Sequence, residues 1–281
     1  MKAGMLRTIM ILAIAAGSFF VSAAQGMPVG DLKEASLAFK AGESMDFTMH
    51  YSWGNINTDI GTASVKLEKT VLDGRNVFHC TASGRTSRFW DLFFKVREDF
   101  QTWFTCDGLI PLKFTRDTHE GKYVAKNTYT YDWSASPAVI DADVYSTSSG
   151  QRNVKLPLDH NTYDLPALFF YARNMDFDKL TPGEKHPMTF AVDDDVYHVY
   201  FILHGRETIK VKGLGEVRTV KFSAKLIAGE IFKGDADIDI YVTDDENRIP
   251  VFFEAPILYG RVSGRLASYS GLKHQSDAIT K

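Results

Sequence analysis

"KGDADIDIYV", residues 233–242, sets Asp235, Asp237 and Asp239 on alternate positions. Successive side chains of a β-strand point to opposite faces, so the three carboxylates share one face while Ala236, Ile238 and Ile240 line the other. The preceding "TVKFSAKLI" (219–227) alternates in the same way, with Lys221, Ser223 and Lys225 on one parity and Val220, Phe222 and Ala224 on the other. An antiparallel register that faces Lys221 with Asp239 and Lys225 with Asp235 also faces Phe222 with Ile238. It satisfies the charged and the apolar face together. Opposite charges on facing positions contribute roughly 0.2–1 kcal/mol each, and the lysines are the simplest neutralisers of the stripe. A solvated salt-bridge ladder is therefore the favoured reading, with a calcium site and a catalytic carboxylate set as the alternatives. The connection would be "LIAGEIFKG" (226–234).

The same alternation recurs along the chain in "SMDFTMHYSW" (44–53), "TASVKLEKTV" (62–71), "NVFHCTASG" (76–84) and "EDFQTWFTC" (98–106), divided by turn signals such as "DGR" at Asp73. This is the signature of a mostly antiparallel all-β protein. The expected architecture is one large curved sheet, a partly open barrel or a sandwich of two similar β-meanders, with roughly 11 to 13 strands. In "TYDLPALFFYARN", Asp164 can cap a helix with Pro166 in its first turn, which predicts one short central helix over Leu165–Arg173. The small, polar stretch 134–161 reads as a linker with one strand at most.

The two halves echo each other at an offset of about 140 positions, the kind of spacing an internal repeat leaves. "GESMDF" at Gly42 resembles "GEKHPMTF" at Gly183, and "DGLIPLKF" at Asp107 resembles "DENRIPVFF" at Asp245. Coincidence is the alternative. The expected organisation is a leader over 1–24, then a single β domain over 25–272 made of pseudo-similar halves, 42–133 and 183–270. Linker and helix, 134–174, join the halves, and 273–281 forms a polar tail.

The leader follows from Lys2 and Arg7, the apolar run Ile9–Val21 and small residues near Ala23, the pattern of a cleavable secretory signal. The expected location is periplasmic or secreted. No cysteine stands at the cleavage point, so a lipid anchor there is not expected, nor is an integral membrane protein. Lys2 and Arg7 are the leader's share of the 32 basic residues, leaving 30 against 35 acidic ones. That balance disfavours nucleic acid as a partner.

Candidate chemistry is sparse. No nucleophile elbow, zinc-protease or phosphate-loop pattern occurs, so no catalytic residue, metal ligand or cofactor is expected. Cys80 and Cys106 lie on consecutive strands, and a register that opposes them also faces Ala82 with Phe104. A disulfide there, worth roughly 3–4 kcal/mol, and two free thiols are both open. "AVDDDVYH" (191–198) reads as a charged, solvated hairpin tip. The informative oddity is "SRFWDLFFKV" (87–96), which crowds aromatics into a connection where polar residues are usual. Either these residues plug an open end, or Trp90, Phe93, Phe94 and Trp103 with Arg88 and Arg97 line a ligand site.

"DGLIPLKF", "TYDLPALFFYARN", "KVKGLGEVRTVKF" and "DIYVTDDENRIPVFFEAPILYGRVSGRL" together resemble the bacterial exported family catalogued as domain of unknown function 3108. The resemblance runs from about Gly42 to Leu266 and implies a mostly antiparallel β protein of the cell envelope. It brings no activity, cofactor or catalytic residue with it. The functional expectation is a non-catalytic envelope protein binding a lipid-like or glycan ligand, or an envelope protein partner. The alternative is a periplasmic glycan hydrolase with paired carboxylates drawn from Glu98, Asp99 and Glu254, whose separation would set the stereochemistry.

Overall fold

The computed structural model describes residues 32–225 and 237–280. The leader, the 226–234 connection and Asp235 lie outside the described residues. The first half of the chain forms β1 (Ser44–Trp53), β2 (Ile56–Leu72), β3 (Arg75–Thr86), β4 (Val96–Thr105), β5 (Pro111–Glu120), β6 (Tyr123–Asp132), β7 (Val139–Ser146) and β8 (Gly150–Pro157). The second half forms β9 (Thr162–Tyr163), β10 (Lys185–Val192), β11 (Asp195–Val211), β12 (Gly215–Lys225), β13 (Asp237–Thr243), β14 (Pro250–Pro256), β15 (Arg261–Ser270) and β16 (Ile279–Thr280).

All belong to one sheet. Its order runs from β8 down to β1, crosses to β15, and runs down to β9, with β16 added beside β12. Pairing is antiparallel except between β9 and β10. The sheet exceeds the expected strand number because the predicted linker is not one. Val139–Ser146 and Gly150–Pro157 pair as a hairpin, with Ile140, Ala142 and Val144 buried on one parity. Small and polar residues mask that alternation in the sequence. The C-terminal tail is also docked, since Ala278 is fully buried and Ile279 pairs with Val217.

From Asp237 onward the 233–242 stretch is strand, but in a register two residues from the expected one. Lys221 faces Tyr241, Ser223 faces Asp239 and Lys225 faces Asp237, while Phe222 faces Ile240. A shift of two preserves both faces, so the alternation alone could not discriminate the two registers. Lys221 still reaches Asp239 diagonally, Nζ to Oδ2 3.0 Å, while its ammonium lies 5.2 Å from the Tyr241 ring. Asp237 and Asp239, the two described members of the stripe, stand on the face opposite the buried Ile238 and Ile240.

Paired features recur in the two halves at the spacing of the sequence echo. Gly42 N donates to Leu67 O at 2.8 Å, and Gly183 N to Leu203 O at 2.9 Å. Thr105 N donates to Ile110 O and Thr243 N to Ile249 O, while the two threonine hydroxyls accept from Ile110 N and Ile249 N. Leu109 and Arg248 both hold φ near +50°, each just ahead of the Ile-Pro that opens β5 or β14.

The helix forms where expected, over Leu165–Ala172, with Asp164 Oδ1 accepting from Ala167 N and Arg173 as C-cap. Every one of its eight residues is buried. A helix apolar on all sides can only be stable when enclosed, and this one lies against the concave face of the sheet. Phe170 packs edge-on against Phe39 at 4.8 Å and meets Phe104 at 5.7 Å, and Phe78 contacts both Phe39 and Phe104 at 5.6 Å. This reproduces the centroid spacing that aromatic rings prefer.

At the helix end of the barrel Arg173 is buried and paired with Glu43, Nη1 to Oε1 and Nη2 to Oε2 at 2.9 Å. Its Nε donates to Asn247 O at 2.9 Å, so one guanidinium joins the helix, the start of β1 and the β13–β14 turn. Removing one partner of a buried pair strands the other charge in a low-dielectric interior. Arg173→Met and Glu43→Gln should each lower unfolding free energy by about 3–5 kcal/mol, whereas replacing both by apolar residues should recover part of the loss. Urea denaturation of the three variants checks this; singles within about 1 kcal/mol of the wild type would contradict it.

Candidate functional site

In this meander the β1–β2, β3–β4, β5–β6, β7–β8, β10–β11 and β14–β15 connections all fall at one end, opposite the end closed by the helix and Glu43. That rim end is where the predicted site residues must be judged. After Thr86 the chain makes a single helical turn, Arg88–Asp91, before β4 begins. Phe89, Trp90 and Phe93 cluster there with ring centroids 5.5–5.7 Å apart. Phe89 and Phe93 are mostly exposed, Trp90 is half-buried, and Phe94 folds back over the Gly121 turn.

Arg97 fixes this segment. Its Nη2 lies 2.6 Å from Asp91 Oδ2 and its Nη1 3.0 Å from Oδ1, while Thr86 Oγ1 donates to the same carboxylate. The Arg97 and Thr86 hydrogen bonds hold Asp91 down to about 2.

Beside this turn lies an open cleft of about 490 Å³ on the outer side of the sheet. It is lined by Thr62 and Asp59 of β2, by Arg85 of β3, and by Arg88, Asp91 and Arg97. A bulge creates it. Met49 faces Gly61 and His50 faces Asp59, so Ile60 is left over and its carbonyl accepts from Ser87 N at 2.9 Å. The strands approach closely at that point, and a Cβ on Gly61 would stand 2.3 Å from Arg85 O. Asp59 is neutralised bidentately by Arg265, at 2.7 and 2.9 Å, and that hydrogen bonding holds its carboxyl well below the usual range. Arg85 and Arg88 have no carboxylate partner among the described residues. The cleft thus presents two uncompensated guanidiniums next to exposed aromatic rings.

The structure therefore brings Arg88, Trp90, Phe93 and Arg97 together and leaves Trp103 out. Trp103 lies six residues further along β4, roughly 20 Å away, where it stacks on His79 at 4.4 Å. Arg85 belongs to the cleft and was missed by sequence reasoning, although it sits two residues before the aromatic segment. Nor do the cysteines meet. Val77 faces Thr105 and Cys80 faces Thr102, four positions from the register a disulfide requires. That offset amounts to about 13 Å along the strand, beyond disulfide reach, and both thiols are free, with Cys106 Sγ directed at Asn76 O.

The three acids offered for hydrolysis do not converge. Glu98 points inward and Asp99 outward, while Glu254 is held by Arg261 on the outer face, five strand spacings around the sheet. Glu98 instead meets Glu120 across β4–β5, inside the barrel below the rim. Two carboxyls can share a hydrogen bond only if one keeps a proton. Burial is the main cause that pushes Glu98 up to about 7, opposed by the neighbouring Arg116 charge and by the Thr118 hydroxyl at 2.5 Å.

Arg116 in turn binds Asp193 of the β10–β11 tip at 2.5 Å, and Tyr129 OH donates to Asp193 O at 2.6 Å. The tip expected to be solvated is thus docked on the opposite wall, with Asp194 pairing to Arg152 of β8. The alternation in "FTRDTHE" sets Arg116, Thr118 and Glu120 on the parity of the buried Phe114, the one signal by which this cluster could have been read.

Because Glu98 holds its proton longer folded than unfolded, it stabilises the fold fully below the unfolded value of 4.5, and that stabilisation is lost as pH rises towards about 7. Glu98→Gln should flatten this slope, gaining on the order of 2–3 kcal/mol over the wild type at pH 8 relative to pH 4.5. Urea denaturation at both pH values checks it; parallel pH profiles would contradict it.

Among the described residues no helix is long and apolar enough to cross a membrane. No relative was found among curated proteins. Of solved structures, a β-barrel-like protein of domain of unknown function DUF1849 from Brucella abortus matches with a TM-score of 0.53 at 9% identity, covering 82% of this chain and 98% of that one. A Bacteroides fragilis protein with a YmcC-like fold matches with a TM-score of 0.35 at 7% identity, covering 83% and 97%. The first likeness is one of fold. The sequence profile of the protein family of unknown function DUF3108 matches residues 46–267, and the chain belongs to that family.

Proposed function

We propose that this is an exported, non-catalytic protein of the cell envelope that holds an amphipathic ligand with an acidic head group at the rim cleft. The observation that carries this reading is the pair Arg85 and Arg88, both lacking a carboxylate partner among the described residues and lining an open cleft of about 490 Å³ beside the Phe89, Trp90 and Phe93 turn. A guanidinium presents planar paired donors suited to carboxylate or phosphate oxygens, and the exposed rings of the adjoining turn offer an apolar tail a surface to cover. The leader pattern supports export.

The concave face, where a ligand might otherwise lodge, is occupied at the helix end by Leu165–Ala172. At the rim end it is crossed by the docked Asp193 tip. The buried Glu98–Glu120 pair does not favour hydrolysis, because at 3% and 1% exposure neither acid can meet a glycosidic bond.

Native mass spectrometry of the mature protein, purified gently from its own compartment, should show an acidic amphiphile released on denaturation. The Arg85→Gln/Arg88→Gln variant should lose it with unchanged thermal stability. A clean apo mass of the wild type, or full retention by the variant, would contradict the reading.

A further inference from the structure

Nine large apolar side chains are exposed among the described residues, and eight of them lie at the rim end. Seven of these eight form two prongs, and Tyr145 stands apart on β7. Trp53 and Ile56 flank the β1–β2 turn and Leu258 and Tyr259 lie in the β14–β15 turn, with Trp53 and Tyr259 edge-on at 5.7 Å. Phe89, Leu92 and Phe93 form the other prong, on the β3–β4 connection. Leu92 is 81% exposed and Phe93 65%, and apolar side chains exposed together in this way mark interaction surfaces.

Charge is arranged to match. Between residues 85 and 97 four cations, Arg85, Arg88, Lys95 and Arg97, accompany one carboxylate, Asp91, which Arg97 already binds. On the other prong Asp59 and Glu254 are paired with Arg265 and Arg261. The chain as a whole is acidic, so a net positive segment tipped with aromatics is a local feature and not a reflection of composition.

We infer that the rim end docks on the surface of an anionic phospholipid leaflet, with both prongs seated at the headgroup level and Arg85 and Arg88 facing lipid phosphates. Trp and Tyr suit the membrane–water interface and Phe and Leu its apolar boundary, and Arg85 and Arg88, without a carboxylate partner among the described residues, add attraction to anionic lipid. Isolated tips on separate turns suit a deformable surface, whereas a protein partner would need a continuous patch. Docking deepens the cleft reading by naming a lipid surface as the source of the acidic amphiphile. It adds the Trp53–Tyr259 prong, which does not line the cleft, so the two proposals can fail separately.

The test is flotation of the mature chain with vesicles of phosphatidylcholine alone and with about one third phosphatidylglycerol. Binding is expected only to the anionic vesicles and should weaken on raising salt from about 0.05 to 0.5 M. Trp53→Ser/Tyr259→Ser should weaken it by about tenfold or more while the cleft ligand stays bound in native mass spectra. Phe89→Ser/Phe93→Ser should do the same to vesicle binding. Circular dichroism melts identify variants that fail to fold, for which Phe89→Tyr and Trp53→Phe, both retaining binding, serve as the conservative comparison. No flotation with anionic vesicles, equal flotation with neutral ones, or full binding by both double variants would overturn the inference; if cleft ligand persists in those cases, docking alone has failed.

Discussion

A buried arginine at the end of the helix is the constraint around which the molecule is organised. Arg173 carries a guanidinium into the interior, so the fold must supply its counter-ion, and it does so from Glu43, the residue immediately before β1. The same guanidinium stands 5.4–5.7 Å from the rings of Phe39, Phe169 and Phe170. It thus links the N-terminal segment, the helix and the sheet seam where β1 meets β15. Neighbouring Arg248 donates to the carbonyls of Arg173 and Met175, and Asn247 bonds the backbone of His274 and Gln275. One end of the barrel is therefore sealed by polar groups that are all engaged.

Sealing that end decides where function can lie. The sheet is wide enough to curl around a ligand, but its concave face carries its own occupant, and Asp164 there accepts hydrogen bonds from Thr102 and Tyr131 while burial lifts it to about 6. A β protein of this kind normally covers exposed aromatics, and it has ample apolar surface inside with which to do so. Leaving Phe89, Leu92 and Phe93 outside, next to guanidiniums, departs from that norm, as does the exposed Trp53–Tyr259 pair. The inner acidic pair and its Arg116–Asp193 latch act instead as structure, tying the β10–β11 tip to β5.

How far the sequence could be read follows from which physical signals are local. Strand alternation is local, and Asp237, Asp239 and Ile238 fell on the faces it predicted; the helix at Leu165 was equally legible from its Asp164 cap and Pro166. Register is not local. Both the two-residue shift at Lys221–Tyr241 and the four-residue shift at Cys80–Thr102 preserve parity, so periodicity cannot distinguish them from the registers expected. The 134–161 stretch reads as a linker in sequence because exposed Ser, Asp and Gly residues outnumber the few buried ones that make it a hairpin. The grouping of Arg88, Trp90, Phe93 and Arg97 was visible because they are close in sequence, whereas Trp103 shares only their chemistry. The contribution of Trp53 and Tyr259 was invisible because it depends on β15 pairing with β1, more than 200 residues away.

If the interior is closed and the rim end is the working surface, hydrogen exchange of residues 25–281, free and with anionic vesicles, should show it residue by residue. Added protection is expected only in the segments around 53–59, 87–95 and 257–261, with exchange in the helix 165–172 slow and unchanged. Protection appearing on the inward face of β4–β6, or a helix that opens when lipid is present, would show that the barrel admits its ligand and would contradict the account.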